Sequence, residues 1–122
     1  MGDTLFEKHG QLVPQEVLYD IAYHYRLTKH AIIRIKERGV FVNTIRETFL
    51  NPYLAYYNTD GTINIAVDET HYFVISEKTD DGKYNVITYK EPSNNNCSIS
   101  DKRLYAINGY ARNPNYNYNT DD

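Results

Sequence analysis

His30, Arg34 and Arg38 recur at intervals of four within the run LTKHAIIRIKERGV, residues 27–40. On a helix that spacing lays three side chains along one strip of surface. The strip carries an imidazole, which exchanges protons near neutral pH, and two planar guanidinium groups suited to phosphate oxygens. RNA cleavage without a metal needs such parts. A base takes the proton of a 2′-hydroxyl, and fixed cations meet the negative charge that builds on the phosphate. Lys29 and Arg46 belong to the same basic segment and are candidate substrate contacts. The plainer alternative is an amphipathic surface helix whose cations are solvated.

The other reactive residue types carry less. His71 opens a strand and shares a face with Phe73, where it either packs or contacts substrate. His24 sits where a cation suits the end of a first helix. His9 lies in a polar lead segment, and Glu37 pairs locally with an arginine. Cys97 follows three asparagines and reads as a free thiol in a loop. A lone cysteine excludes an internal disulfide and any multi-cysteine zinc site. No phosphate-binding glycine loop, HExxH, GxSxG or calcium-loop pattern is present. No metal or other cofactor is expected.

The elements that must position these residues follow from pattern. The chain has 122 residues, which suits one domain, 1–112, followed by a polar tail, 113–122. No apolar run approaches the ~20 residues of a bilayer span, and no secretory signal is expected near the start. Formal net charge is −3, yet residues 24–46 hold six cations against Glu37 alone. A basic segment in an acidic chain is a local electrostatic footprint. There are thirteen tyrosines, a residue type favoured at binding faces.

Pro14 followed by Gln15 and Glu16 predicts a helix over 14–25. Thr28 as cap and Gly39 as stop predict a second over 29–38. Asn43 as cap and Pro52 as stop predict a third over 43–50. The period then changes to two, predicting strands over 53–58, 62–67, 71–76 and 84–90, joined by short turns. Ser100 is placed to cap a short last helix. The expected fold is α+β: two or three N-terminal helices packed on one face of an antiparallel sheet of about four strands.

The helix Leu27-Thr28-Lys29-His30-Ala31, Arg34, Glu37-Arg38-Gly39-Val40, then Asn51-Pro52, Asp60-Gly61 and Val86-Ile87-Thr88-Tyr89, resembles small toxin domains of the barnase–EndoU–colicin–RelE-like superfamily, BrnT-like domains among them. The likeness covers about residues 26–90. It implies a metal-independent ribonuclease directed at tRNA or messenger RNA and acting in the bacterial cytoplasm. Such domains stand alone or form the C-terminal tip of a larger secreted protein used in contact-dependent inhibition. It implies an immunity or antitoxin protein as partner. It also implies a catalytic set joining helix to sheet: His30 and Arg34, with Thr88 to position a phosphate and Lys90 to neutralise it. Lys29, Arg38, Arg46 and His71 are then substrate contacts, and Tyr89 packs. The competing expectation is a non-catalytic protein-binding domain, such as a phage-encoded inhibitor, with tyrosines as the contact area.

Overall fold

The computed structural model describes residues 10–91 and 98–108. Cys97, His9 and the tail 113–122 lie outside the described residues. Pro14, extended at φ −65° and ψ 153°, leads into α1 (Gln15–Tyr23), which buries Leu18, Ile21 and Ala22. The chain leaves α1 at His24 and forms a three-residue strand, β1 (Tyr25–Leu27). Thr28 then caps α2 (Lys29–Glu37): its Oγ1 accepts the Ala31 N–H at 3.1 Å and donates to the Val86 carbonyl at 2.9 Å. One hydroxyl therefore starts the helix and ties it to the sheet. Gly39, at φ +72°, ends the helix in the left-handed region that favours glycine.

A 3-10 turn (Val42–Thr44) precedes α3 (Ile45–Leu50). Asn43 lies inside that turn, so the cap position falls to Thr44, whose hydroxyl instead donates back to the Phe41 carbonyl at 2.8 Å. Four strands follow: β2 (Leu54–Tyr57), β3 (Ile63–Ala66), β4 (Tyr72–Ile75) and β5 (Tyr84–Lys90). The last described helix is α4 (Ile99–Asn108). Its first turn is held by Ser98, whose Oγ accepts the Asp101 N–H at 3.2 Å, where Ser100 was expected.

The class is α+β as expected, with two corrections. The sheet has five strands in the order β1-β5-β4-β3-β2 and is mixed, because β1 pairs parallel with β5 while the other pairs are antiparallel. Helices also cover both faces. The larger core joins Leu18, Ile21, Ala31, Ile35, Ile45 and Phe49 of α1–α3 to alternate strand residues such as Ile65, Phe73 and Val86. The smaller one joins Ile99 and Ala106 of α4 to Tyr56, Ala66 and Tyr72 of the opposite face. Phe49 is the hinge of the larger core, edge-on to Tyr25 at 5.1 Å and to Phe73 at 5.3 Å.

One irregularity decides what faces what. Val74 pairs with Thr88 and Ile75 with Val86, so Ile87 is an extra residue in β5. A bulge of one residue transfers everything beyond it to the other face. Val86 and Tyr89 both reach the core under α1–α3. Thr88 and Lys90, paired with Val74 and Tyr72, turn to the α4 side.

Candidate active site

The bulge separates the expected catalytic set. Thr88 is buried and on the opposite face of the sheet from α2, and Lys90 shares that face. The two lie together, as the two-residue period requires, but not with His30 and Arg34. His30 is exposed in the first turn of α2. Eight residues of helix, about 12 Å of rise, separate it from Arg38. Lys29 is exposed beside it. Arg46 is structural: its Nε donates to the Ala22 carbonyl at 2.7 Å, and its guanidinium lies over the rings of Tyr23 at 5.2 Å and Tyr25 at 5.7 Å. Arg26 is likewise engaged, with Asn85 at 2.6 Å and Asp81 at 2.8 Å.

The far end of α2 is different. Arg34 and Arg38 both approach Glu37, at 3.4 and 3.7 Å, and Arg38 Nε stands 3.7 Å from Glu91, just past β5. These are ion-pair distances, longer than good hydrogen bonds. Arg38 Nε is buried and makes no hydrogen bond among the described residues. A buried donor that has only a long ion pair with Glu91 is a place where a closer acceptor oxygen would be favourable.

At this same end the β3–β4 turn presents His71. Asp68 Oδ1 gathers four contacts: the N–H of Thr70 at 2.8 Å, its Oγ1 at 2.9 Å, the N–H of His71 at 2.8 Å and His71 Nδ1 at 3.1 Å. Desolvation works to raise the Asp68 carboxyl, but the hydrogen bonds from Thr70 and His71 outweigh it and hold the group at about 2. The same Nδ1 lies 2.7 Å from the Thr70 hydroxyl, so Asp68 and Thr70 together address one ring nitrogen. In the tautomer that carries its hydrogen on Nδ1, the free lone pair of the ring is on Nε2. The ring stacks on Tyr89, centroids 6.1 Å apart and planes 20° apart. The Tyr89 hydroxyl is pushed up, first by burial and then by the charges of Asp68 and Glu91, with Arg38 opposing. Tyr89 thus stands among Asp68, Arg38 and Glu91, and His71 stacks on it.

Sequence reasoning named His71 and Arg38 as contacts and Tyr89 as a packing residue, and Tyr89 is indeed in the larger core. It did not see the stacking of His71 on Tyr89, and it missed Asp68 and Glu91. Asp68 had a local signal: an aspartate three residues before a histidine, across a threonine, is the pattern of a side chain folding back on its own turn. The His71–Tyr89 stacking had none, because it joins residues eighteen positions apart on neighbouring strands.

A second titratable group, at the end of α1, is closed on itself. The Asp20 carboxylate accepts from Lys78 at 2.9 Å and Tyr84 at 2.8 Å, and His24 Nδ1 stands 3.1 Å from it. The Lys78 bond is the main reason its carboxyl is lowered, and burial with the Asp20 bond pushes the Tyr84 hydroxyl far up. This is a tie between α1 and the β4–β5 hairpin, with its acceptor occupied. Among the described residues no helix is long and apolar enough to cross a membrane. No family model, curated protein or solved structure matches the chain.

Proposed function

We propose that the chain is a metal-independent endoribonuclease toxin that cleaves tRNA or messenger RNA in the bacterial cytoplasm. The observation that carries the reading is one place: the His71–Asp68 pair, stacked on Tyr89 at the end of the sheet where Glu91 meets Arg38 at the close of α2, with Arg34 one turn back. His71 Nε2 takes the proton of the 2′-hydroxyl. The 2′-oxygen attacks phosphorus, the bond to the 5′-oxygen breaks, and that oxygen takes a proton from water. Arg34 and Arg38 hold the phosphate as its charge grows. Asp68 orients the ring and stabilises the imidazolium, as an orienting carboxylate does beside other catalytic histidines. His30 and Lys29 lie farther along the helix and contact more distant phosphates. The superfamily resemblance supports the same reaction class, with the histidine supplied by the sheet.

The test is RNA cleavage in EDTA, with end-group analysis. The expected products carry a 2′,3′-cyclic phosphate and a 5′-hydroxyl. His71→Ala should lower the rate by about 10²–10⁴, whereas His30→Ala should chiefly weaken binding. A strict need for Mg²⁺, cleavage of DNA, or full activity in His71→Ala would sink the reading.

A different observation favours a protein partner. Ile33, Phe41 and Val42 are exposed on α2 and the turn after it, Phe41 at 77%. An immunity or antitoxin protein is the partner that a toxin reading implies, reached either as a stand-alone protein or as the tip of a larger secreted one. The non-catalytic binding reading predicts complex formation that His71→Ala leaves intact, with no cleavage by the wild type.

A further inference from the structure

We propose that Glu69 is a positioning residue that couples the docking of α4 to the alignment of His71. The proposal rests on the site described above. Glu69 sits in the same turn as Asp68 and His71 but serves the other face of the sheet. Its Oε2 accepts from Tyr53 at 2.5 Å and from the Ser100 hydroxyl at 2.7 Å, and its Oε1 from the Ser100 N–H at 3.3 Å. Its backbone carbonyl accepts the Ile99 N–H at 2.9 Å. The Tyr53 bond is the largest cause holding the Glu69 carboxyl below its ordinary range, with Ser100 adding to it.

These bonds fasten the first turn of α4 to the turn that carries the site. A carboxylate against first-turn N–H groups is a favourable partner for a helix start. Here it comes from a residue thirty positions away, and Ile99, fully enclosed in the second core, seats the same turn. Four consecutive residues therefore work in two directions. Asp68 folds onto Thr70 and His71 towards the arginines, while Glu69 grips Tyr53 and α4. Turns left to themselves fray, and a site held on one is only as exact as its supports. Releasing Glu69 frees the backbone on which Asp68 meets the imidazole.

The experiment reads the ring itself and the reaction separately. Ring ¹⁵N shifts of His71 report its tautomer in the full chain, and steady-state RNA cleavage reports kcat and KM. The wild type should hold His71 as the Nδ1–H tautomer. Glu69→Ala should give mixed tautomers and a kcat lowered by about tenfold or more, the usual size for loss of an outer-shell support, with KM nearly unchanged. Glu69→Gln keeps an acceptor for Ser100 and should recover most of kcat. If Glu69→Ala fails to fold, Ser100→Ala and Tyr53→Phe each remove one bond and should give smaller changes of the same kind. A lower melting temperature with wild-type tautomer and kcat in these variants overturns the proposal and leaves Glu69 a helix cap. Mixed tautomers in Glu69→Ala with no cleavage by the wild type would support the coupling and overturn the ribonuclease reading.

Discussion

Asp68→Asn separates what the carboxylate does for the fold from what it does for the ring. Asparagine keeps an oxygen where the N–H groups of Thr70 and His71 converge, but removes the charge. The group is held at about 2 against an ordinary 3.8. Taken at face value that displacement is worth about 2.5 kcal/mol. The Asp68 side chain is 54% exposed, and solvent screening reduces the figure to about 1 kcal/mol. The sign follows from linkage. The folded-state value lies below the unfolded one, so the contribution is complete above about pH 4 and lost as pH falls through 2, with about half gone by pH 3. At pH 6 the variant should therefore melt about 4 °C below the wild type. At pH 2.5 the gap should be under half as large. Thermal melts monitored by circular dichroism at the two pH values measure this. An equal gap at both would show that the ionised carboxylate is not the stabilising species. The effect on activity should be far larger, about 100-fold in kcat, because the imidazole loses its orienting acceptor. A deficit of about 1 kcal/mol leaves nearly all of a domain with ordinary stability folded, so it cannot account for such a loss. A kcat within a few-fold of wild type would refute the role given to Asp68.

Two further outcomes follow from the arginines. Reversing Arg34 and Arg38 to Glu should weaken RNA binding and flatten its salt dependence by about one to two in the slope of log K against log salt, since fewer phosphates are neutralised; titrations between low and moderate salt measure it, and an unchanged slope places the phosphate contacts elsewhere. Arg46→Ala should lower stability by about 1–2 kcal/mol, through the lost Ala22 bond and the two ring contacts, while leaving kcat at permissive temperature as in the wild type.

What the sequence disclosed is what local chemistry controls. The α2 boundaries were readable because Thr28 and Gly39 act through their own neighbours, and the three hairpins because turn residues bracket the strand runs. The strand β1 was not readable. It is three residues long and exists because Tyr25, Arg26 and Leu27 find Tyr84, Asn85 and Val86 across almost sixty positions. The helix on the second face was legible as a helix, yet nothing in Ile99 or Ala106 says which side of the sheet it covers. The same limit governs the site. The spacing of His30, Arg34 and Arg38 correctly places them on one helix, but only tertiary packing puts Arg38 beside Glu91 and Tyr89. Alternation along β5 rightly put Thr88 and Lys90 on one face, and the resemblance implied that this face meets the helix. The extra residue at Ile87 reversed that, and no motif in Val86-Ile87-Thr88 marks a bulge.

The way the arginines are held bears on how such a site would bind. Glu37 lies between Arg34 and Arg38, and Glu91 closes on Arg38, all at 3.4–3.7 Å. Pairs of this length on a partly exposed surface contribute at most about 1 kcal/mol each. A phosphate that displaces a carboxylate gives up little and gains a doubly charged-assisted, bidentate contact. The acids therefore do not block the site. They hold two long side chains in place, so less side-chain freedom is lost when substrate arrives. They also keep the local field modest, which disfavours indiscriminate adherence to nucleic acid. On that argument Glu37→Gln should tighten RNA binding at low salt by a few-fold and leave kcat unchanged. A weakening would show that Glu37 holds the arginines in place more than it competes with phosphate. Filter binding over a salt series with the wild type and Glu37→Gln decides between the two.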